Sequence, residues 1–145
     1  MNKPGFFKAR KKARRYALQS LYGWIFSQND IREIETFVFL EHSDDEFDRE
    51  YFSLLLHEIP KQITTLDTIM TPYLSRPLED VGPIELTILR IAIYELKERL
   101  DVPYKVVINE ALELAKAFAS PDSHKFVNGV IDKVAKIIRP TSDTL

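Results

Sequence analysis

Apolar residues recur along this chain at spacings of three and four, the signature of helices that bury one face. Ala9, Ala13, Ala17, Leu21 and Trp24 or Ile25 predict a first helix over about residues 8–27. Asp30, with Glu33 three residues on, has the form of a capping box and opens a second helix with Ile31, Ile34, Phe37, Val38 and Leu40 as its stripe. Ser43 with Glu46 repeats that signature and opens a third, whose inward set is Phe47, Tyr51, Leu54, Leu55 and Ile59. Pro60 removes a backbone donor and crowds the preceding turn, so a break or kink is expected there. Ile63, Leu66, Ile69 and Met70 mark a further helical stretch over about 61–72. A loop bounded by prolines follows, Thr71-Pro-Tyr-Leu-Ser-Arg-Pro77.

The stretch Ile84-Glu-Leu-Thr-Ile-Leu-Arg-Ile-Ala-Ile-Tyr-Glu-Leu96 departs from the one-stripe pattern. At 100° per residue its apolar side chains cover nearly the whole circumference, so this helix must be wrapped by others or lie in a membrane. A span needs about 20 apolar residues in a row, and Glu85, Arg90, Glu95, Lys97, Glu98 and Arg99 interrupt. The reading is a central helix reaching about residue 100. Val107, Ile108, Ala111, Leu112, Ala115 and Phe118 predict the next helix, over 105–119. The last helix follows Ser120-Pro-Asp-Ser123, with Phe126, Val127, Val130, Ile131, Val134 and Ile137 or Ile138 inward, and ends at Arg139-Pro140 before a tail over 141–145. No segment alternates with period two. The architecture is all-α, about seven helices in an N-terminal and a C-terminal sub-bundle, about 8–72 and 77–139, within one domain over 1–145.

Charge sharpens this picture more than composition does. The net charge of −2 is unremarkable, but residues 1–15 hold Lys3, Lys8, Arg10, Lys11, Lys12, Arg14 and Arg15 with no acid, whereas residues 30–58 hold ten acids against Arg32 and Arg49. The cations sit at a helix N-terminus, where the macrodipole disfavours them by roughly 0.3–1 kcal/mol each. That misplacement favours an anion-binding face over a merely solvated one. The acids read most simply as a solvated outer surface. There is no Cys, hence no disulfide and no thiolate site. The basic N-terminus lacks the apolar run of a secretory signal, which makes the cytoplasm the default location.

Catalytic and cofactor chemistry is not legible. Gly5, Gly23, Gly82 and Gly129 are the only glycines, too few and too scattered for a phosphate loop. His42, His57 and His124 form no metal-binding pair, and His57-Glu58 reads as surface. No acid is placed with a nucleophile or base. What remains is the basic helix start, Lys125 beside Phe126, and Tyr73, which is either a hinge aromatic or a ring open to base stacking. Cations supply non-specific affinity by counterion release, and single-stranded RNA is read by laying bases on aromatic rings.

Four segments carry a resemblance over about residues 9–140. They are Arg15-Tyr-Ala-Leu-Gln-Ser-Leu-Tyr-Gly-Trp24, Ile88-Leu-Arg-Ile-Ala-Ile-Tyr-Glu-Leu96, Val107-Ile-Asn-Glu-Ala-Leu-Glu-Leu-Ala-Lys116 and Ser123-His-Lys-Phe-Val-Asn-Gly-Val-Ile-Asp132. In that order they resemble the NusB family of bacterial transcription antitermination factors. The resemblance implies two packed three-helix bundles, no enzyme activity and no cofactor. It implies binding of boxA, a short single-stranded RNA of ribosomal RNA operon leaders, as a heterodimer with NusE, a small-subunit ribosomal protein. That pair joins NusA, NusG and RNA polymerase, and the family is also associated with small-subunit assembly. The RNA surface it implies comprises Arg10, Lys11, Lys12 and Arg14, Tyr73 in the loop, and Asp122 and Phe126 at the last helix; Tyr22 and Glu85 match NusE-contact positions. Lysines in the basic run depart from an all-Arg stretch and act as point charges rather than forks. Pro60 lies where relatives often continue a helix. Two other classes compete. One is a stand-alone copy of the NusB-like module of ribosomal RNA cytosine methyltransferases, against which the length argues. The other is an interaction protein whose homodimerisation covers the basic face.

Overall fold

The structure is a computed structural model that describes residues 5–140; Lys3 of the basic run and the tail expected over 141–145 lie outside them. Seven α-helices and two short 3-10 turns form among the described residues, with no strand. They divide into two compact units, one ending at Lys61 and the other beginning at Gln62. No helix among the described residues is long and apolar enough to cross a membrane.

The first unit holds α1 (Phe6–Ser27), α2 (Ile31–Glu41) and α3 (Arg49–Lys61). α1 packs on α3, and the buried apolar residues of the pair are Ala13, Ala17, Leu18 and Leu21 on one side and Tyr51, Phe52, Leu55, Leu56 and Ile59 on the other. α2 starts as expected: the Asp30 carboxylate accepts from the Arg32 amide at 2.8 Å and caps the helix. Its inward face is rotated from the expected stripe. Glu35 accepts from the Ser53 hydroxyl and Phe39 meets Phe52 at 5.8 Å, whereas Phe37 and Leu40 are exposed. α3 begins at Arg49 instead of near Ser43, because Asp48 is its cap, accepting from the Tyr51 amide at 2.9 Å. The helix then ends at Lys61, one residue beyond Pro60, whose missing N–H leaves the preceding turn without a donor.

The second unit holds α4 (Ile63–Met70), the 3-10 turns Thr71–Tyr73 and Leu78–Asp80, α5 (Pro83–Glu98), α6 (Tyr104–Phe118) and α7 (Ser123–Ile138). α4, which the sequence reading put in the N-terminal sub-bundle, therefore groups with the second unit. The reason is that α4 packs on α5 and α7. Asp67 of α4 fixes this by accepting both forks of Arg90, at 2.9 and 2.8 Å. α5 is the wrapped helix its pattern predicts: every residue from 87 to 96 except Arg90 is buried, and α4, α6 and α7 all pack on it. Pro83 occupies its first position, where the absent N–H is no loss. Its other end is closed by Arg139, only 4% exposed, which donates to the carbonyls of Glu95, Leu96, Arg99 and Val102. α7 starts at Ser123, later than Ser120-Pro121 suggests, with the Ser123 amide donating to the Ser120 carbonyl at 3.0 Å.

Candidate nucleic-acid interface

The basic run occupies the first turns of α1, but helical geometry sends its members in different directions. Lys8 and Arg15 are exposed, and Lys11 and Lys12 are half-buried. The Arg10 side chain is 14% exposed; its guanidinium lies 4.4 Å from the Phe6 ring and 4.0 Å from the Tyr51 ring, and its Nε donates to Asp48 Oδ2 at 3.3 Å. Arg14 corrects the expectation of a surface cation. It is 3% exposed and its guanidinium lies 5.4 Å from the Tyr51 ring, because position 14 follows the buried Ala13 on the α3-facing side.

The acidic segment is not merely solvated. Asp45 accepts from Lys12 Nζ at 2.5 Å and from the Tyr16 hydroxyl. These donors, Lys12 first and Tyr16 second, hold its carboxyl below the usual range. Tyr16 is pushed from 10.0 up to about 12, mainly by burial, then by the hydrogen bond and charge of Asp45, against the opposing charge of Arg15. Its ring stacks on His42 at 4.1 Å and meets Phe47 edge-on at 4.9 Å. His57, read as surface beside Glu58, pairs with Glu35 at 3.2 Å and keeps 34% of its side chain exposed. Asp45 and Asp48 thus engage Lys12 and Arg10, both expected RNA-contacting cations.

The other expected RNA residues belong to the second unit. Tyr73 is half-buried in a 3-10 turn that packs on α4 and α7. Asp122 is the exposed residue before α7 and makes no side-chain cap, and Phe126 is half-buried in the first turn. Arg76, which the sequence reading passed over, lies with its guanidinium 4.0 Å from the centroid of the Phe126 ring. Glu85 accepts from the Ser123 hydroxyl, and its carboxylate is 4.0 Å from the Arg76 guanidinium. The only hint to Arg76 in the sequence was its place in the proline-bounded loop. Nothing in the periodicity of α5 marks Glu85 as tied to α7.

The NusB sequence profile matches residues 11–136, most of the chain. The chain belongs to the NusB family. It is 54% identical over 132 residues to the transcription antitermination protein NusB of Escherichia coli O139:H28 (strain E24377A / ETEC), covering 91% of this chain and 95% of the relative. It is 52% identical over 131 residues to the protein of that name from Colwellia psychrerythraea (strain 34H / ATCC BAA-681), covering 90% and 95%. The solved structure of T. maritima NusB superposes with a TM-score of 0.73 at 30% identity, covering 94% of this chain and 93% of that one. The all-α fold read from the sequence is thus the NusB fold. In this NusB chain, Tyr22, one of the two expected protein-contact positions, is half-buried and meets the 65%-exposed Phe26 edge-on at 5.3 Å. The other, Glu85, keeps only 17% of its side chain exposed.

Proposed function

We propose that this NusB-family chain is a transcription antitermination factor that binds boxA-type single-stranded RNA together with NusE, and that the pair joins NusA, NusG and RNA polymerase in the cytoplasm. The observation that carries the RNA reading is Phe126 at the start of α7, with the Arg76 guanidinium on its ring. A ring and a cation in contact are what splayed bases and their phosphates require. The exposed Lys8 and Arg15 and the half-buried Lys11 and Lys12 support it from the start of α1, and Arg10 contributes charge from its place on Tyr51. Arg14 is buried, with its guanidinium 5.4 Å from the Tyr51 ring. Asp122, exposed beside Phe126, suits an acceptor for base amino groups. Tyr73 offers a second ring, and Tyr22 with Phe26 offers apolar surface to NusE.

The test is binding of a labelled boxA RNA across a salt series, with and without NusE. NusE should tighten binding. A Lys11→Ala, Lys12→Ala double variant should bind more weakly and lose up to about 1.4 from the magnitude of the salt slope, about 0.7 for each single-strand phosphate no longer neutralised. An affinity and slope equal to wild type would overturn the proposal.

A further inference from the structure

The sequence suggests Phe126 as a bare stacking ring, but its neighbours describe a layered arrangement. The Arg76 guanidinium is 4.0 Å from the ring centroid and, at 40% side-chain exposure, is the more exposed member of the pair. The Glu85 carboxylate lies 4.0 Å from that guanidinium and also accepts from the Ser123 hydroxyl, one turn of α7 before Phe126. Ser123 is only 2% exposed and its hydroxyl also lies 3.0 Å from that of Ser120. Gly82 leaves the space that the carboxylate uses: a Cβ there would collide with Glu85 Oε1. One carboxylate, fixed from α7, thus faces a guanidinium lying on a ring of the same helix.

We infer that Arg76 is a further RNA-binding residue: its outer face is the platform on which a base of the single strand stacks, its N–H edge takes the adjacent phosphate, Phe126 backs it, and Glu85 is its positioning residue. This rests on the RNA-binding reading above. A guanidinium plane stacks on a base as an aromatic ring does, and it has five donors in a fixed fork, so the same side chain bonds a phosphate oxygen. With its carbon 4.0 Å from the Phe126 centroid and 40% of the side chain exposed, the guanidinium keeps surface for the strand. Glu85 restricts the long Arg side chain to that pose before RNA arrives, which lowers the ordering cost of binding.

The experiment measures binding of a single-stranded boxA oligonucleotide carrying 2-aminopurine at successive positions, over a salt series, with the full chain and NusE. Arg76→Ala should weaken binding about tenfold, reduce the magnitude of the salt slope by about 0.7 and abolish the fluorescence change of one 2-aminopurine position. Arg76→Lys should restore the slope but not that change. Measured with the chain alone, so that a lost NusE contact cannot contribute, Glu85→Gln should weaken binding about threefold with an unaltered slope, since it loosens the pose without removing the cation. The melting temperature of each variant should match wild type, and Lys133→Ala, an exposed cation elsewhere on α7, should leave the 2-aminopurine signal intact. If wild type binds and the Lys11, Lys12 double variant binds more weakly, but Arg76→Ala retains affinity, slope and signal, the inference is overturned while the RNA reading stands. If Glu85→Gln equals wild type, the positioning role is overturned. If wild type does not bind the strand at all, both the inference and the reading beneath it fall.

Discussion

One guanidinium closes the end of the most deeply buried helix. The carbonyls of Glu95, Leu96 and Arg99 lie in the last turn and cap of α5, where those of Glu95 and Arg99 accept only one amide each, from Arg99 and Val102, and a second lone pair is open to a side-chain donor. Arg139 reaches three of them and Val102 besides, from beyond the end of α7. Its positive charge also suits the negative end of the helix dipole. Removing it leaves several buried acceptors without that donor, so Arg139→Ala should destabilise the chain by about 3 kcal/mol in urea or thermal unfolding. Arg139→Lys should recover only part of this, because an ammonium cannot span several carbonyls as a planar fork does. Equal stability of wild type and Arg139→Ala would show the bonds to be dispensable. Sequence reasoning saw Arg139 merely as the residue before a helix-stopping proline. Its partners are about 40 residues away in the chain, and no local pattern encodes them.

At the scale of elements, the helices were legible and their junctions were not. Periodicity located α1, α3, α5, α6 and α7 because each buries a face at regular spacing. The link from α2 to α3 was misread because its acids serve partners in α1. Asp45 bonds Lys12 and Tyr16, Asp48 caps α3 while pairing with Arg10, and the Asp48 amide donates to the Ala9 carbonyl at 3.0 Å. Arg49 closes the connection by donating to the carbonyls of His42 and Asp45. The pinning of this connection depends on protonation. The Asp45 carboxyl is lowered on folding, so its contribution is present above its ordinary range and is lost as pH falls through the folded value. Tyr16 is raised from 10.0 to about 12, so its contribution is complete below 10 and is lost as pH rises toward 12. Melting temperature should therefore fall at both extremes. Tyr16→Phe, which keeps the ring on His42 and Phe47, should flatten the alkaline arm and weaken the acid one. An alkaline arm unchanged in Tyr16→Phe would assign that pH dependence to another group.

Across the whole molecule, burial is concentrated in α5 and thin in α2, and stability should follow it. The all-round apolar pattern of residues 84–96 announced a wrapped helix, and α4, α6 and α7 supply the wrapping. Arg90 ties its middle to Asp67 and Arg139 closes its end, so local fraying finds no easy start. α2 has the opposite character: it packs chiefly on α3, Val38 is its one buried residue, and Phe37 and Leu40 are 64% and 72% exposed. Its amphipathic sequence did not reveal this, since its apolar residues exceed what one neighbouring helix can cover. Amides open by local, subglobal or global routes according to how much packing each opening gives up. Those of residues 88–96 should exchange only when the second unit unfolds, whereas those of α2 should open at a free energy a few kcal/mol lower. Native-state hydrogen exchange across a denaturant series reads this directly: steep denaturant dependence in α5, and shallow, fast exchange in α2. Protection of α2 equal to that of α5 would mean that its few buried contacts are coupled to a larger cooperative unit than its packing suggests.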